Sequence, residues 1–407
     1  MITRWLGLAA LAAVVLGVSG CGGVSDISEA AGNRLAVYSS LPLQGPEAEA
    51  SQQIVGGEKL ALADAGGRAG RFKVGYVSLD DATPTSGRLN PGLTATNAKI
   101  AADDTSTIAY LGDYDSAATA ISLPLINAAG ILQISPASPY VGLTSSFDAG
   151  QDEPERFYPS GRRTFARLQP GDTVQAGAQV KLMKSLGVRS VYVLDDQDPF
   201  AAPLAEILAN DATHAGISVL AHDSLAIAQG AAFAGEVQKI TESHAGAVFL
   251  AGSANPGTAA LWRQLHRADP SMLLFGSSEM ADESFTARIG AAAASTYLTT
   301  PVLAASQYPP PAQRVLEDYH SAFGGQAAPE ALYGYEAMTL VLDAIRGAGA
   351  RGNDRQTVID AVLATHNRNS VIGRYSIAAD GDTTLSRYGV DRVLDGRPVF
   401  YRAIEVN

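Results

Sequence analysis

Along most of the chain, short β-branched runs alternate with longer stretches in which apolar residues recur at helical spacing. The first run, LAVYSSL over 35–41, predicts a strand. A helix is expected over 47–65, where Ile54, Val55, Leu62 and Ala65 share a spacing of three to four. Further strands are expected at 72–79, 107–111 and 131–135, and helices at 91–103 and 116–129. Pro91 suits a first helical turn, where its missing N–H costs nothing. Such βα repetition predicts a mostly parallel sheet with helices on both faces.

A polar, Pro-containing stretch over 144–163 breaks the rhythm, and its charged part, 152–160, reads as an ordered surface loop. The alternation restarts with SVYVLDD at 190–196, a helix to about 215 and a strand around Ser218. Then come a helix at 231–243, a strand at 247–251, a helix at 257–268 and a strand at 272–277. Two such series predict an α/β protein of two similar lobes. Pro309-Pro310-Pro311 cannot continue a helix or central strand and marks a connection. Helices are expected at 311–323, 330–347 and 355–366, followed by a β-like ending with Gly381 and Gly396 at turns.

Composition narrows the functional classes. The chain has 407 residues, of which 46% are hydrophobic, enough for two packed domains. A formal charge of −12 argues against binding a phosphate backbone, so no nucleic-acid partner is expected. The single cysteine, Cys21, excludes an internal disulfide. It follows a short basic start, an apolar run over 6–18 and Val18-Ser19-Gly20, an arrangement too short to span a bilayer. Small residues before a cysteine resemble the lipobox of bacterial lipoproteins. That resemblance implies a signal peptide over 1–20, acylation of Cys21, and a Gly/Ser/Ala-rich tether over 21–34. The expected location is therefore extracytoplasmic, with membrane attachment through a lipid anchor.

Taken in order, several short segments resemble the type I periplasmic binding proteins, in particular the branched-chain amino-acid substrate-binding family of ABC transporters. They are Pro42-Leu43-Gln44-Gly45-Pro46, Asp80-Asp81-Ala82-Thr83, Asn97-Ala98-Lys99, Gly112 with Ser116, and 130–137 (GILQISPA). Trp262-Arg263-Gln264-Leu265, Tyr335-Glu336-Ala337, Gly373 and Gly381-Asp382 continue the series. The resemblance implies two Rossmann-like lobes joined by three hinge crossovers near Leu168, Thr300 and Gly373. Lobe one would comprise 35–168 and 301–372, and lobe two 169–300 and 373–407. It also implies a small polar ligand, ABC permease subunits as partners, and no cofactor.

Ligands of parallel α/β sheets sit beyond the carboxyl ends of the strands. Ser116, placed as a helix N-cap with Ala117 and Ala118 behind it, would turn backbone N–H groups toward an anion such as a carboxylate; the family's matching serine contacts the ligand carboxylate. Tyr114 and Asp115 are secondary candidates beside it. After 131–135, the resemblance implies backbone contacts from Ala137, with Ser138 supplying a hydroxyl because Pro139 stands at the family's threonine position. In lobe two, Phe200 covers the ligand's carbon skeleton, with Asp198 secondary, and Asn255 stands where an aromatic is often found. Glu279 matches an acidic position that pairs with the ligand ammonium, a charge-assisted bond of roughly 1.5–3 kcal/mol. Small Ala48, Ala50 and Ser51 replace a stacking aromatic, which implies a roomier pocket than one built for leucine.

An enzyme is not expected. The chain has no G-x-S-x-G elbow, H-E-x-x-H or P-loop, and its six histidines are scattered, so no metal site is predicted. The alternative to import is a ligand-sensing lipoprotein that presents solute to a membrane receptor kinase.

Overall fold

The computed structural model describes residues 29–84, 89–147, 149–227 and 232–406. The predicted signal peptide, Cys21 and most of the tether lie outside the described residues.

The first series runs β1 (Arg34–Leu41), α1 (Ala48–Asp64), β2 (Arg68–Ala69), β3 (Phe72–Asp80), α2 (Pro91–Asp103), β4 (Thr107–Gly112), α3 (Ser116–Ala128), β5 (Leu132–Ser135) and β6 (Phe165–Arg167). The second runs α4 (Asp172–Ser185), β7 (Ser190–Asp195), α5 (Ala202–His214), β8 (Ser218–Ser224), α6 (Ala234–Glu242), β9 (Ala247–Ala251), α7 (Pro256–Ala268), β10 (Leu273–Gly276), α8 (Glu283–Thr286) and β11 (Thr296–Thr300). Then follow α9 (Pro310–Phe323), α10 (Glu330–Gly347), α11 (Arg355–Leu363), β12 (Arg368–Ser370), β13 (Gly373–Tyr375), β14 (Arg387–Leu394) and β15 (Arg397–Glu405).

These strands form two main sheets, ordered β2-β3-β1-β4-β5-β6 and β15-β14-β11-β10-β9-β7-β8. Within each, five parallel strands repeat one order: β3-β1-β4-β5-β6 and β8-β7-β9-β10-β11. This is the doubly wound 2-1-3-4-5 arrangement, whose strand order reverses beside the first strand of each series. Side chains alternate across the sheets as strand geometry dictates. Leu35 and Val37 of β1 enter one core, Ala36 and Tyr38 another. Val191 and Val193 of β7 likewise oppose Tyr192 and Leu194.

After β11, the chain returns to the first lobe, where α10 packs on α1 through reciprocal glycines. A Cβ on Gly57 would lie 2.0 Å from the Ala331 carbonyl oxygen, and one on Gly334 2.0 Å from that of Ile54. Only glycine permits so close an approach of two helix backbones. The third passage between sheets falls later than the expected Gly373. That residue opens β13 of a small hairpin, and Tyr375 and Ile377 still belong to the first lobe's core. The chain reaches the second sheet through 378–386 and ends in the β14–β15 hairpin, where Asp395 and Gly396 take positive φ as a tight hairpin turn requires.

Two other expectations need correction. The segment 152–160 is not merely a surface loop: Phe157 and Tyr158 are buried, and the Tyr158 hydroxyl donates to the Leu143 carbonyl at 2.7 Å. Helix α11 stops at Leu363, short of 366, because the chain turns at Asn367, whose φ is 49°.

Candidate functional site

In both lobes, the loops at the switch points carry the predicted residues. The loop after β4 holds Tyr114 and Asp115 with Ser116 opening α3, the loop after β7 holds Asp198 and Phe200, and the loop after β9 holds Asn255. Ala137 and Ser138 follow β5, and Glu279 follows β10.

The lobe-one wall differs from its prediction in detail. Asp115, not Ser116, caps α3: its carboxylate accepts the Ala118 N–H at 2.7 Å. Ser116 is already helical and buried, and its hydroxyl oxygen accepts the Tyr140 N–H at 3.1 Å. The Ser138 hydroxyl is also turned inward, 2.6 Å from Thr119 Oγ1 and 3.0 Å from the Asp115 carbonyl oxygen. Ser135 Oγ accepts the Ala137 and Ser138 amides at 3.2 and 2.9 Å. The hydroxyls expected to meet a ligand therefore hold the loops in shape. Tyr114 packs on Leu41, Ile54 and Val55.

Two acids that the sequence reading did not assign to the site lie behind this wall. Asp113 is fully buried and accepts hydrogen bonds from Tyr110 at 3.0 Å and from Ser122. Burial pushes its carboxyl up to about 7 against the lowering effect of those donors. Asp81, at the end of β3, is 0% exposed, and neither carboxylate oxygen has a hydrogen-bond partner among the described residues. Burial, then the charges of Asp113, Asp115, Asp80 and Glu47, push it up to about 9. Asp80 is fastened instead, accepting the Leu43 amide at 2.9 Å and the Gln44 side-chain amide at 2.7 Å.

The lobe-two wall is half-open. Asn255 is the N-cap of α7, its Oδ1 accepting the Thr258 N–H at 3.0 Å, so its side chain is committed to the helix. Asp198 shapes its own loop by accepting the Phe200 N–H at 2.7 Å. Asp196 accepts the amides of Ser253 and Asp198 at 2.9 and 3.2 Å. Its carboxyl is nonetheless raised, chiefly by burial and also by Asp198 and Glu279. Glu279 is half-buried and accepts a hydrogen bond from the Ser253 hydroxyl at 3.2 Å. This joins two loops that sequence reading had treated separately.

The walls meet through Tyr140 and Phe200, whose rings stand edge to face with centroids 5.1 Å apart. At the base, Arg167 is fully buried and donates to the carbonyls of Ser138 and Tyr140, both at 2.9 Å, and to Thr144 Oγ1 at 2.6 Å. Its Nε lies 2.7 Å from Asp382 Oδ1, an ion pair off-line for a hydrogen bond, which ties the first passage to the third. Nearby Asp172 opens α4, and burial pushes it up to about 7; Arg167 lowers it and Glu279 raises it. Tyr388 of β14 is buried, and its hydroxyl is held well above its ordinary range, first by burial and then by the charge of Asp172. Tyr140, Arg167 and Asp196 were not foreseen; Arg167 carries no sequence signal beyond one basic residue in an apolar strand.

Among the described residues, no group of three or more His, Cys, Asp or Glu side chains is placed to hold a metal ion. Nor is any of their helices long and apolar enough to cross a membrane.

The profile of a family described as periplasmic binding protein matches residues 39–394. A leucine-binding protein from Thermotoga maritima superposes with a TM-score of 0.74 at 21% identity, covering 91% of this chain and 99% of that one. A branched-chain amino-acid transporter substrate-binding protein from Streptococcus pneumoniae, in complex with isoleucine, gives 0.70 at 17% identity, covering 91% and 99%. A solute-binding protein of an ABC transporter from Rhodopseudomonas palustris, in complex with 3,4-dihydroxybenzoic acid, gives 0.69 at 18% identity, covering 92% and 98%. No curated protein matches the chain by sequence.

Proposed function

The chain belongs to the periplasmic binding protein family, and we propose that it is the extracytoplasmic solute-binding component of an ABC importer, capturing an amino-acid-like solute between its lobes. The observation that carries this reading is the Tyr140–Phe200 contact. It brings the loop after β5 against the loop after β7, so the carboxyl ends of both parallel sheets open on one space, where ligands of such sheets bind.

The charge of that space favours a solute bearing an ammonium group. Asp115 stands on one wall and Asp198 and Glu279 on the other, whereas burial raises the carboxyls of Asp81, Asp113 and Asp196 and reduces their charge. Glu279 is the side chain proposed to take the ammonium, with the Ser253 hydroxyl orienting its carboxylate. Phe200 covers the carbon skeleton. Ala137 and Ser138 border the opposite end of the ligand, in a loop whose amides are held by Ser135 Oγ and whose Ser138 carbonyl is held by Arg167. Related proteins have been crystallised with isoleucine and with 3,4-dihydroxybenzoic acid. Acidic walls favour the first chemistry over the second, because a carboxylate without a compensating cation is repelled.

A calorimetric titration against single amino acids and aromatic acids tests the reading. At least one amino acid is expected to bind saturably, and Glu279→Ala is expected to weaken it at least tenfold. Binding of an aromatic acid alone, or an isotherm unchanged in Glu279→Ala, would refute the assignment. Export and acylation at Cys21 belong to the same proposal. Palmitate labelling of cells should mark the wild type and not Cys21→Ala.

A further inference from the structure

A cavity of about 360 Å³ lies away from the loops that carry the candidate residues, at the lower end of the roughly 300–1,000 Å³ typical of small-molecule sites. Each passage between the lobes contributes to its lining, Pro170 from the first, Leu303 and Tyr308 from the second and Leu385 from the third, together with Arg374 of β13 and Arg387 of β14. Its charge is opposite to that of the molecule. In a chain of formal charge −12, two of its lining residues are arginines and none is acidic.

The two arginines are in different states. Arg387 is engaged, donating to the Gln307 carbonyl at 3.0 Å and to its side-chain oxygen at 2.7 Å, with Glu405 outside the lining at 3.8 Å. Arg374 is exposed, and its guanidinium has no ion-pair or hydrogen-bond partner among the described residues. Apart from Gln307 and Ser386, the remaining walls are apolar or aromatic. Leu303, Ile372 and Leu385 line the cavity together with Tyr308 and Tyr333, whose hydroxyls already bond each other at 3.3 Å.

From this combination we infer that the cavity is a second ligand site, for a small carboxylate with an apolar body, whose anionic end is held by Arg374. A guanidinium matches a carboxylate in a two-pronged geometry, and the adjoining leucine, isoleucine and tyrosine surfaces cover an aliphatic tail. The cleft and this cavity therefore select opposite charges.

Octanoate, with octylammonium as a control of the same body and opposite charge, tests the site by isothermal calorimetry on the purified chain. Octanoate is expected to bind saturably to the wild type and to Glu279→Ala. Octylammonium, whose ammonium Glu279 of the cleft could also take, is compared on Glu279→Ala and is expected not to bind there. Arg374→Glu should weaken octanoate at least tenfold, Arg374→Lys should retain most of the affinity, and Glu279→Ala should leave it within twofold. Arg374 is exposed and makes no bond that folding needs, so these variants are expected to fold, with circular dichroism as the check. Absence of saturable octanoate binding, equal binding of octylammonium to Glu279→Ala, or an equal loss in Glu279→Ala would overturn the assignment. A cleft that binds no amino acid would leave this result unaffected, so the two readings fail separately.

Discussion

The two lobes share one strand order yet present different walls to the space between them. In lobe one, hydroxyls and caps are spent internally: Ser116 holds the Tyr140 amide, Ser135 holds the Ala137 and Ser138 amides, and Ser138 meets Thr119. Behind them sits Asp81, buried and unpartnered among the described residues. In lobe two, Asp196, Ser253 and Glu279 form a partly open chain of hydrogen bonds, and Phe200 is half-buried. One wall is pre-set and the other adjustable. That division suits a clamp in which lobe one fixes where a solute sits and lobe two closes over it.

Removing the tie at the base should have the largest effect. Arg167→Met leaves two buried carbonyls and Thr144 without their donor and the Asp382 carboxylate without its ion-pair partner. Breaking a buried ion pair costs about 3–5 kcal/mol, and access of Asp382 to water places this change toward the lower end. Urea unfolding measures it. A loss below about 1 kcal/mol would mean that the pre-set wall does not depend on the hinge arginine.

The next largest effect concerns Asp81, and its sign depends on pH. The folded carboxyl titrates near 9, above the ordinary carboxylate range, so the native state binds this proton more tightly than the unfolded chain does. Its influence on stability is most favourable below about pH 4 and is progressively lost as pH rises toward the folded value. Asp81→Asn removes that penalty. It should raise the melting temperature at about pH 8 by about 2 °C or more, the response to roughly 1 kcal/mol, and change little at about pH 4. Destabilisation at the higher pH would instead mean that the carboxylate is ionised and held by a partner.

Both cases show where sequence reading stops. Helix α2 and strand β9 are legible to the residue because periodic apolar positions and a Pro at the first turn mark them. Helix α4 is not, because two of its inward positions are glutamines. Gln175 accepts the Ser278 amide and the Thr299 hydroxyl, both at 2.7 Å, and Gln179 donates to the Gly276 carbonyl at 2.8 Å. Those polar anchors erase the amphipathic stripe that would reveal a helix. The loops that carry the candidate residues are legible as loops, since strand ends are visible in a βα pattern. The sequence could not tell that Ser116 and Ser138 turn inward, because which partner a hydroxyl finds is settled by packing between segments distant in the chain.

Asn255 offers a smaller test of the lobe-two wall. As the α7 cap, its replacement by alanine should cost about 1 kcal/mol of stability, visible in chemical denaturation. The amino-acid affinity should stay within about twofold, corresponding to less than about 0.5 kcal/mol. A tenfold affinity loss at unchanged stability would return Asn255 to the ligand.

The finest distinction rests on the Tyr140–Phe200 ring pair, which spans the space. Tyr140 is buried on the pre-set side, its hydroxyl bonded to Glu153, while Phe200 is half-buried on the adjustable side. Edge-to-face pairs contribute about 0.5–1.5 kcal/mol beyond the area they bury. A double-mutant cycle of Tyr140→Leu and Phe200→Leu should recover a coupling of that size. If the contact belongs to the closed arrangement, the coupling should grow when an amino acid is bound, because ligand shifts the population toward the state in which the rings touch. Equal coupling with and without ligand would mean that the rings touch regardless of occupancy. The adjustable wall would then be the Asp196–Ser253–Glu279 loops alone.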